Sequence, residues 1–259
     1  MQKPIPAVQL YTLRDHIQTA EDFDATLARL HDWGVRDVQI SAIGDIPAEI
    51  QRDILNKHAM RVCVTHKNFN WLREDPQRAI DHHKTIGCSA IGIGAAPESA
   101  RCNTGNVRRF IAEVNELARV FHDAGMTFHY HNHAFEFQKL DDHAGCIMDF
   151  LLEETDPACV CFIPDLMWMH YAGRDPVEVL QRMRGRVKVV HFKDYFMDRE
   201  GFRRFCSLGQ GIVDLRSCYD AVCELEMPYI AYEQDGDWTD GDPFRAAEES
   251  WAFLKALEA

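Results

Sequence analysis

The sequence predicts an α/β protein folded as a single-domain (β/α)8 barrel, the TIM-barrel architecture, over residues 1–259. Short runs rich in β-branched residues alternate with segments of helical periodicity, which indicates parallel strands joined by helical crossovers. The length of 259 residues is close to the ~250 that such a barrel needs. No linker or low-complexity stretch divides the chain. A closed barrel therefore explains the alternation and the length together.

Eight short apolar runs are interpreted as the strands of this barrel. Each is rich in Val, Ile, Phe or Tyr and is flanked by helical or turn-forming sequence, as expected for buried parallel strands. The predicted strands are 7–11, 35–41, 61–66, 88–94, 126–133, 160–165, 186–191 and 229–233.

The segments between these runs are predicted to be helices. The first begins after Thr19, whose hydroxyl is a suitable N-cap, and ends at Gly34. The clearest has one apolar face from Val107 to Phe121 and ends at Gly125. The others are expected around 47–59, 75–86, 143–154, 175–184, 214–226 and 242–258.

A doubly wound open sheet is the alternative arrangement for alternating strands and helices. That fold would place a glycine-rich, phosphate-binding turn after its first strand. The segment LYTLRDHIQT, which follows the first strand here, contains no glycine. The closed barrel is therefore the favoured prediction, with 66–75 and 194–212 as its longest loops and the candidates for a lid.

The charge of the chain argues against several classes of function. The formal net charge is −13, whereas a nucleic-acid-binding protein is expected to carry a basic face. An anionic membrane surface is disfavoured for the same reason. No run approaches the ~20 apolar residues of a membrane span. We therefore expect neither nucleic acid nor a membrane as a partner.

The cysteines and the N-terminal residues bear on the cellular compartment. The nine cysteines include no CxxC pair, and several lie in apolar runs, which favours buried free thiols in a reducing cytosol. The stretch MQKPIPAVQLYTLRD has no apolar core of a secretory signal. A cytoplasmic protein is the resulting expectation.

Four ionisable residues close the last four predicted strands. They are His131, Asp165, His191 and Glu233. Side chains alternate along a strand, so each of these residues caps a stripe that points into the barrel, and active residues of barrels lie at this end of the strands. A single polar residue at a strand end is usually a cap or a surface group. Four on consecutive strands predict a shared metal site.

The residue types in this set restrict the metal. Imidazole and carboxylate ligands together suit Mn²⁺, Zn²⁺, Co²⁺ or Fe²⁺ better than the all-oxygen shells typical of Mg²⁺ or Ca²⁺. Cysteine is absent from the set, so a structural zinc site is not expected. We predict one divalent ion, with Mn favoured among Mn, Co, Zn, Fe and Mg.

Several short motifs occur in the order and spacing of a known family. They are VQLYTLRD, VTH, YHNHAFEF, PD, VVHFKD, LGQGIVD and YEQD. With them the chain resembles, over nearly its whole length, the xylose isomerase-like sugar isomerases and epimerases, which share their barrel with endonuclease IV. The resemblance implies a metal shell of Glu, Asp, His and Glu from strands five to eight. Asp165, His191 and Glu233 match the last three.

Strand five departs from that family pattern. His131 stands where many epimerases of the family carry the first glutamate. Either His131 binds the metal itself, or Glu136, five residues further on, reaches back with its carboxylate. Glu136 could instead orient His131 or His133 by accepting a hydrogen bond, as metal-binding histidines often require. The sequence leaves these alternatives open.

The resemblance implies an isomerase or epimerase that removes a proton next to a metal-polarised carbonyl of a keto sugar or related polyol. The epimerases of the family use two metal-linked glutamates, and only Glu233 is clearly in place here, which argues against a symmetric two-base reaction. Glu233 is the candidate ligand and base, and Glu136 and Lys193 are the other catalytic candidates. Lys193 could donate to a developing alkoxide, or simply pair with Asp194 or Asp235.

Four further residues are predicted to contact a carbohydrate substrate. Tyr11 and His66 close strands one and three, His133 follows strand five, and Trp168 could stack on a sugar face. For each, a packing role at the barrel rim is the alternative. A lyase on the same scaffold, an inosose-type dehydratase or a 3-keto-glycoside eliminase, is the alternative activity. A non-catalytic sugar-binding barrel is a further one, and a homo-oligomer is the default expectation.

Overall fold

The computed structural model describes residues 3–258 and contains the predicted barrel. In this part of the chain eight parallel strands form one sheet in the order β6-β5-β4-β3-β2-β1-β10-β7. The barrel strands are β1 Ile5–Gln9, β2 Asp37–Ile40, β3 Arg61–His66, β4 Ala90–Ile93, β5 Thr127–His131, β6 Val160–Ile163, β7 Val189–Phe192 and β10 Tyr229–Tyr232. The short parallel bridges Phe162–Val187 and Asp165–His191 join the two ends of the sheet. The sheet is therefore a nearly closed barrel.

Helices follow most of the strands and cover the outside of the barrel. Within residues 3–258 they are α1 Ala20–Asp32, α2 Ala48–Lys57, α3 Phe69–Glu74, α4 Pro76–Thr85, α5 Thr104–Asp123, α6 Ile147–Glu154, α7 Leu166–Tyr171, α8 Pro176–Arg182, α9 Leu215–Glu224 and α10 Pro243–Leu257. Thr19 caps α1 by accepting a hydrogen bond from the Asp22 amide. Gly125 has φ +77° just after α5, a conformation that glycine adopts without strain.

Two short helices, a β-hairpin and a 3-10 helix were not predicted from the sequence. Helices α3 and α7 are each six residues long, too short for a helical period to stand out, and both lie in loops that follow strands. The stretch 194–212, expected to be a loop, contains an antiparallel hairpin of β8 Asp194–Met197 and β9 Arg203–Cys206. Strand one also ends earlier than predicted, because Leu10–His16 forms a 3-10 helix.

The barrel interior is apolar directly below three of the four cluster-forming strand ends. Ile163, Val189 and Ala231 are fully buried two residues before Asp165, His191 and Glu233, and so lie below them on the same inward stripes. Burial of each large apolar side chain contributes roughly 1.5–3 kcal/mol, and this core holds the strand ends in place. Asp165, His191 and Glu233 therefore lie directly above a packed apolar layer.

Most of the cysteines are buried, as the sequence predicted. All nine cysteines are free, and all except Cys102 and Cys161 are buried. Across residues 3–258, none of the helices combines the length and the apolar character needed to cross a membrane.

Candidate metal centre

Four side chains converge where the carboxyl ends of β5, β6, β7 and β10 meet. His131, Asp165, His191 and Glu233 each offer one ligand atom, and these atoms all lie within 4.8 Å of one another. The four residues are 3%, 0%, 0% and 4% exposed. The Asp165–His191 bridge, where β6 meets β7, holds two of them side by side. The structure therefore brings together the set of residues that the sequence predicted as metal ligands.

Hydrogen bonds on the far side of each imidazole orient the two histidines. The Nδ1 of His131 lies 2.9 Å from the carbonyl oxygen of Gly94, and the Nε2 of His191 lies 2.8 Å from Oε1 of Gln39. Both partners are acceptors, so each of these nitrogens carries the proton. The lone pairs are then on Nε2 of His131 and Nδ1 of His191, which are the atoms that face the carboxylates.

The Nδ1 of His191 is buried in the cluster without a hydrogen-bond donor to satisfy it in the described part of the chain. It lies 2.9 Å from Oε2 of Glu233, an acceptor whose neighbouring cation is the Nζ of Lys193, also at 2.9 Å. Buried polar atoms are normally satisfied, and two lone-pair donors that face each other call for a cation between them. Two imidazole nitrogens and two carboxylates are also a competent shell for a divalent transition metal. The residues present thus fit a divalent ion.

Lys193 lies among three carboxylates next to the four candidate ligands. Its Nζ is 3.1 Å from Oδ2 of Asp165, 2.9 Å from Oε2 of Glu233 and 3.0 Å from Oδ2 of Asp235. Burial by itself lowers the pKa of Lys193, but these carboxylates outweigh it and raise the pKa well above its ordinary value. Lys193 is therefore an ammonium ion. Of the two ion-pair partners predicted for Lys193, Asp194 and Asp235, the structure shows Asp235.

Asp194 does not pair with Lys193 and has another function. Its carboxylate accepts hydrogen bonds from the backbone amides of Gly209, Gly211 and Val213. These bonds fasten the loop after β9 to the start of the hairpin. The aspartate of the VVHFKD motif is therefore a loop anchor.

Glu136 does not reach the candidate ligands. Its Oε1 accepts a hydrogen bond from the Tyr130 hydroxyl at 2.6 Å, and its Oε2 accepts one from the His133 amide at 2.8 Å. Burial raises the pKa of Glu136 to about 7 despite these bonds. Both oxygens are occupied by local partners, so the interpretation of Glu136 as the strand-five ligand is not supported. The described geometry also gives it no direct place in the chemistry.

A cavity of about 570 Å³ opens above the cluster at the mouth of the barrel. The four residues predicted to bind substrate all line this cavity: Tyr11, His66, His133 and Trp168. Lys193 and Glu233 line it as well. The ring of His66 is centred 5.1 Å from that of His131, and Trp168 lies 5.4 Å from His133. Contact with substrate remains a prediction for these four.

Several residues around the site were not identified as site residues from the sequence. Asp235, Arg203 and Phe205 line the cavity, and Gln39 orients His191. A buried glutamine in the apolar run VQI of β2 was a usable signal, because a polar side chain inside a barrel requires a partner. Arg203 and Phe205 had no such signal, because the hairpin that carries them was not predicted.

The fold and the four convergent residues define a barrel with a candidate divalent-metal centre at its mouth. The chain belongs to the xylose isomerase-like TIM barrel family, whose sequence model matches residues 67–257.

Two curated relatives and one solved structure illustrate the relationship. The inosose dehydratase of Geobacillus kaustophilus (strain HTA426) is 27% identical over 225 residues, which cover 81% of this chain and 66% of that protein. The inosose dehydratase of Clostridium beijerinckii is 26% identical over 159 residues, 55% of this chain and 51% of that protein. The chain thus matches about half to two thirds of the length of these relatives. A sugar phosphate isomerase/epimerase from Parabacteroides distasonis ATCC 8503 shares the fold with a TM-score of 0.81 at 22% identity, covering 99% and 97% of the two chains.

Proposed function

We propose that the chain is a divalent-metal-dependent enzyme that removes a proton next to a carbonyl group of a small carbohydrate or polyol, and that the outcome is isomerisation. The observation that carries this proposal is the position of Glu233 and Lys193. The two charged groups lie 2.9 Å apart on the wall of the cavity, and Glu233 is itself one of the four candidate metal ligands. A candidate base, Glu233, and a candidate proton donor, Lys193, therefore lie side by side on the cavity wall.

His131, Asp165, His191 and Glu233 would hold the metal. The chemistry supplied by a bound divalent ion would be Lewis-acid polarisation of a substrate carbonyl, which makes the neighbouring C–H more acidic. The remaining chemistry belongs to side chains of this chain. Hydrogen bonds donated to the Gly94 carbonyl and to Oε1 of Gln39 keep both imidazoles turned toward the cluster, and the buried apolar residues below Asp165, His191 and Glu233 close that side of the site.

Glu233 is the base of the proposed reaction. Burial by itself raises the pKa of Glu233, but the Lys193 ammonium and His191 outweigh it and hold the pKa well below its ordinary value. Its carboxylate is consequently ionised at physiological pH, as a general base must be. Lys193, held as an ammonium ion, can donate a proton to a substrate oxygen as negative charge develops there. One base and one acid on the same edge suit transfer between adjacent positions of the substrate.

The same pair supports elimination as a second candidate function. If the substrate carries a hydroxyl on the β-carbon, Lys193 can protonate it as it leaves, and the product is an unsaturated ketone and water. The two curated relatives described above are both named inosose dehydratases, which favours this candidate specifically. Both reactions begin with the same proton removal.

An experiment in heavy water separates the two outcomes. The metal-loaded protein is incubated with a panel of keto sugars and inososes in D₂O, and the products are followed by NMR. Deuterium incorporation with an aldose–ketose change and no loss of water supports isomerisation, whereas an unsaturated product supports the lyase. Glu233→Gln and Lys193→Met are expected to lower either rate by at least ~10²-fold. Turnover that survives Glu233→Gln would contradict the proposal.

The alternative to an enzyme is a barrel that binds a sugar without catalysing a reaction. That function predicts ligand binding that is unaffected by removal of the metal and no exchange of substrate protons. The expected ligand in every case is a small molecule, since the net charge of −13 is unfavourable for nucleic acid.

A further inference from the structure

Arg203 is a cation on the cavity wall whose charge is not matched by any nearby acid. Its Cζ lies 4.4 Å from the ring centre of Trp168, 4.2 Å from that of Phe205 and 5.2 Å from that of Tyr171. Within residues 3–258, no carboxylate lies at ion-pair distance from it, and its Nη1 is buried without a hydrogen-bond partner. Aromatic rings occupy the faces of the guanidinium, so its in-plane N–H groups are what it offers to a ligand.

The rings of Trp168 and Phe205 lie between Arg203 and Lys193. The Nζ of Lys193 lies 5.5 Å from the ring centre of Trp168 and 6.0 Å from that of Phe205. Arg203 and Lys193 therefore flank one pair of aromatic side chains. A small molecule that lies against Trp168 and has its carbonyl near Lys193 would carry its far end toward Arg203.

The charges around the cavity indicate what that far end carries. Asp165, Glu233 and Asp235 bring three negative charges around the single ammonium of Lys193. A divalent cation in the four-residue site would balance the remaining two. Arg203 then contributes positive charge that none of these groups balances and that a negatively charged group of the substrate would neutralise.

We propose that Arg203 binds a carboxylate group of the substrate, so that the enzyme acts on a sugar acid or polyhydroxy keto acid and not on a neutral sugar. A carboxylate matches the planar, two-pronged donor edge of a guanidinium and brings one charge. A phosphate ester brings nearly two charges, whereas Arg203 is the one cation beside Trp168 and Phe205 that has no ion pair among the described residues; Lys67, which also lines the cavity, has its Nζ 5.6 Å from the Trp71 ring instead. This inference rests on the proposed function for the orientation of the substrate.

Three ligands that differ only at carbon six test the inference: D-glucuronate, D-glucose and D-glucose 6-phosphate. Their affinities for the Mn²⁺-loaded protein are measured by calorimetry and by thermal shift, without turnover. We expect glucuronate to bind at least tenfold more tightly than glucose and more tightly than the phosphate ester. Arg203→Gln should remove this preference, and Arg203→Lys, which retains charge without the planar fork, should retain part of it.

Arg204→Gln is the matched control for these variants. Arg204 is the next residue in β9, but it is exposed and pairs with Asp198 at 2.8 Å, outside the cavity. Its substitution should leave the preference for glucuronate unchanged. Equal affinity for glucuronate and glucose, no binding of any of the three at tens of millimolar, tighter binding of the phosphate ester, or a preference that survives Arg203→Gln would each overturn the inference. A glucuronate preference without proton exchange in D₂O would instead contradict the proposed function alone.

Discussion

The Nδ1 of His191 and the Oε2 of Glu233 lie 2.9 Å apart, and the Nδ1 is buried without a hydrogen-bond partner in the described residues. The proton of the His191 ring is on the other nitrogen, which faces Gln39. Two lone-pair acceptors thus face each other at a buried position of the barrel mouth, with the Lys193 ammonium beside Glu233 only. Such an arrangement is unfavourable by itself and is stabilised by a cation that both atoms bind.

Gln39 is expected to control metal affinity without touching the metal. In Gln39→Leu the acceptor for Nε2–H of His191 is lost, so the ring is free to turn or to change tautomer. We predict a roughly 10–100-fold weaker Mn²⁺ affinity, measured by competition with a chelator. Gln9→Leu is the control, because Gln9 pairs with Gln39 across neighbouring strands but accepts its own bond from the Tyr11 amide. Equal affinities in both variants would refute this role.

Lys193 is expected to replace part of the metal's charge when no metal is bound. Lys193→Met leaves Asp165, Glu233 and Asp235 without their buried cation, which should lower the free energy of unfolding of the metal-free protein by on the order of 3–5 kcal/mol. Added Mn²⁺ should raise the melting temperature of this variant more than that of the wild type. Thermal unfolding with and without Mn²⁺ measures both effects.

The exposed pair of Arg204 and Asp198 provides the comparison for Lys193. Arg204→Met removes the surface ion pairs with Asp198 and Asp237 and should change stability far less than Lys193→Met does, with an unaltered response to Mn²⁺. If the Lys193 variant were no less stable than this control, the cluster around Lys193 would not have the electrostatic role assigned to it.

Acid should destabilise the protein from about pH 6.5 downward, partly through His83. Burial lowers the pKa of His83 to about 3, and its two nitrogens contact Thr65 and the carbonyl of Ala79. Between its unfolded pKa, about 6.5, and its folded pKa, only the unfolded chain binds the proton, so stability is full above this window and falls as the pH decreases. Each such histidine contributes a slope of about 1.4 kcal/mol per pH unit.

Denaturant unfolding at several pH values tests this prediction. In His83→Gln the slope between pH 6 and pH 4 should decrease by roughly one proton. His122→Gln, at an exposed position near the end of α5, is the matched control. A wild-type stability that stays constant across this range would contradict the assignment of His83 as a buried neutral histidine.

The barrel and the four converging side chains could be predicted because they follow from periodic signals. Strands of alternating or continuous apolar residues end in polar residues, and in a parallel barrel all carboxyl ends meet at one mouth. That topology alone places Asp165, His191 and Glu233 together. The choice between His131 and Glu136 was not available from spacing, because it depends on the Tyr130 hydroxyl, which occupies one oxygen of Glu136 in the folded chain.

Features built from short, aperiodic segments could not be predicted. The two strands of the β8–β9 hairpin have four residues each, too few to show a clear period, and its turn depends on Asp198 accepting bonds from the Glu200 and Phe202 amides. The position of Arg203 on the cavity wall follows from that hairpin. Contacts that depend on a loop's own geometry leave little trace in a single sequence.

Elemental analysis of the purified protein after exposure to Mn²⁺ and gel filtration tests the central claim most directly. We predict about one bound divalent ion per chain in the wild type and in Glu136→Gln, and its loss in His131→Ala, Asp165→Ala and His191→Ala, since these three residues belong to the four-residue cluster and Glu136 does not. Retention of the ion by the Asp165 and His191 variants, or its loss in Glu136→Gln alone, would contradict the account.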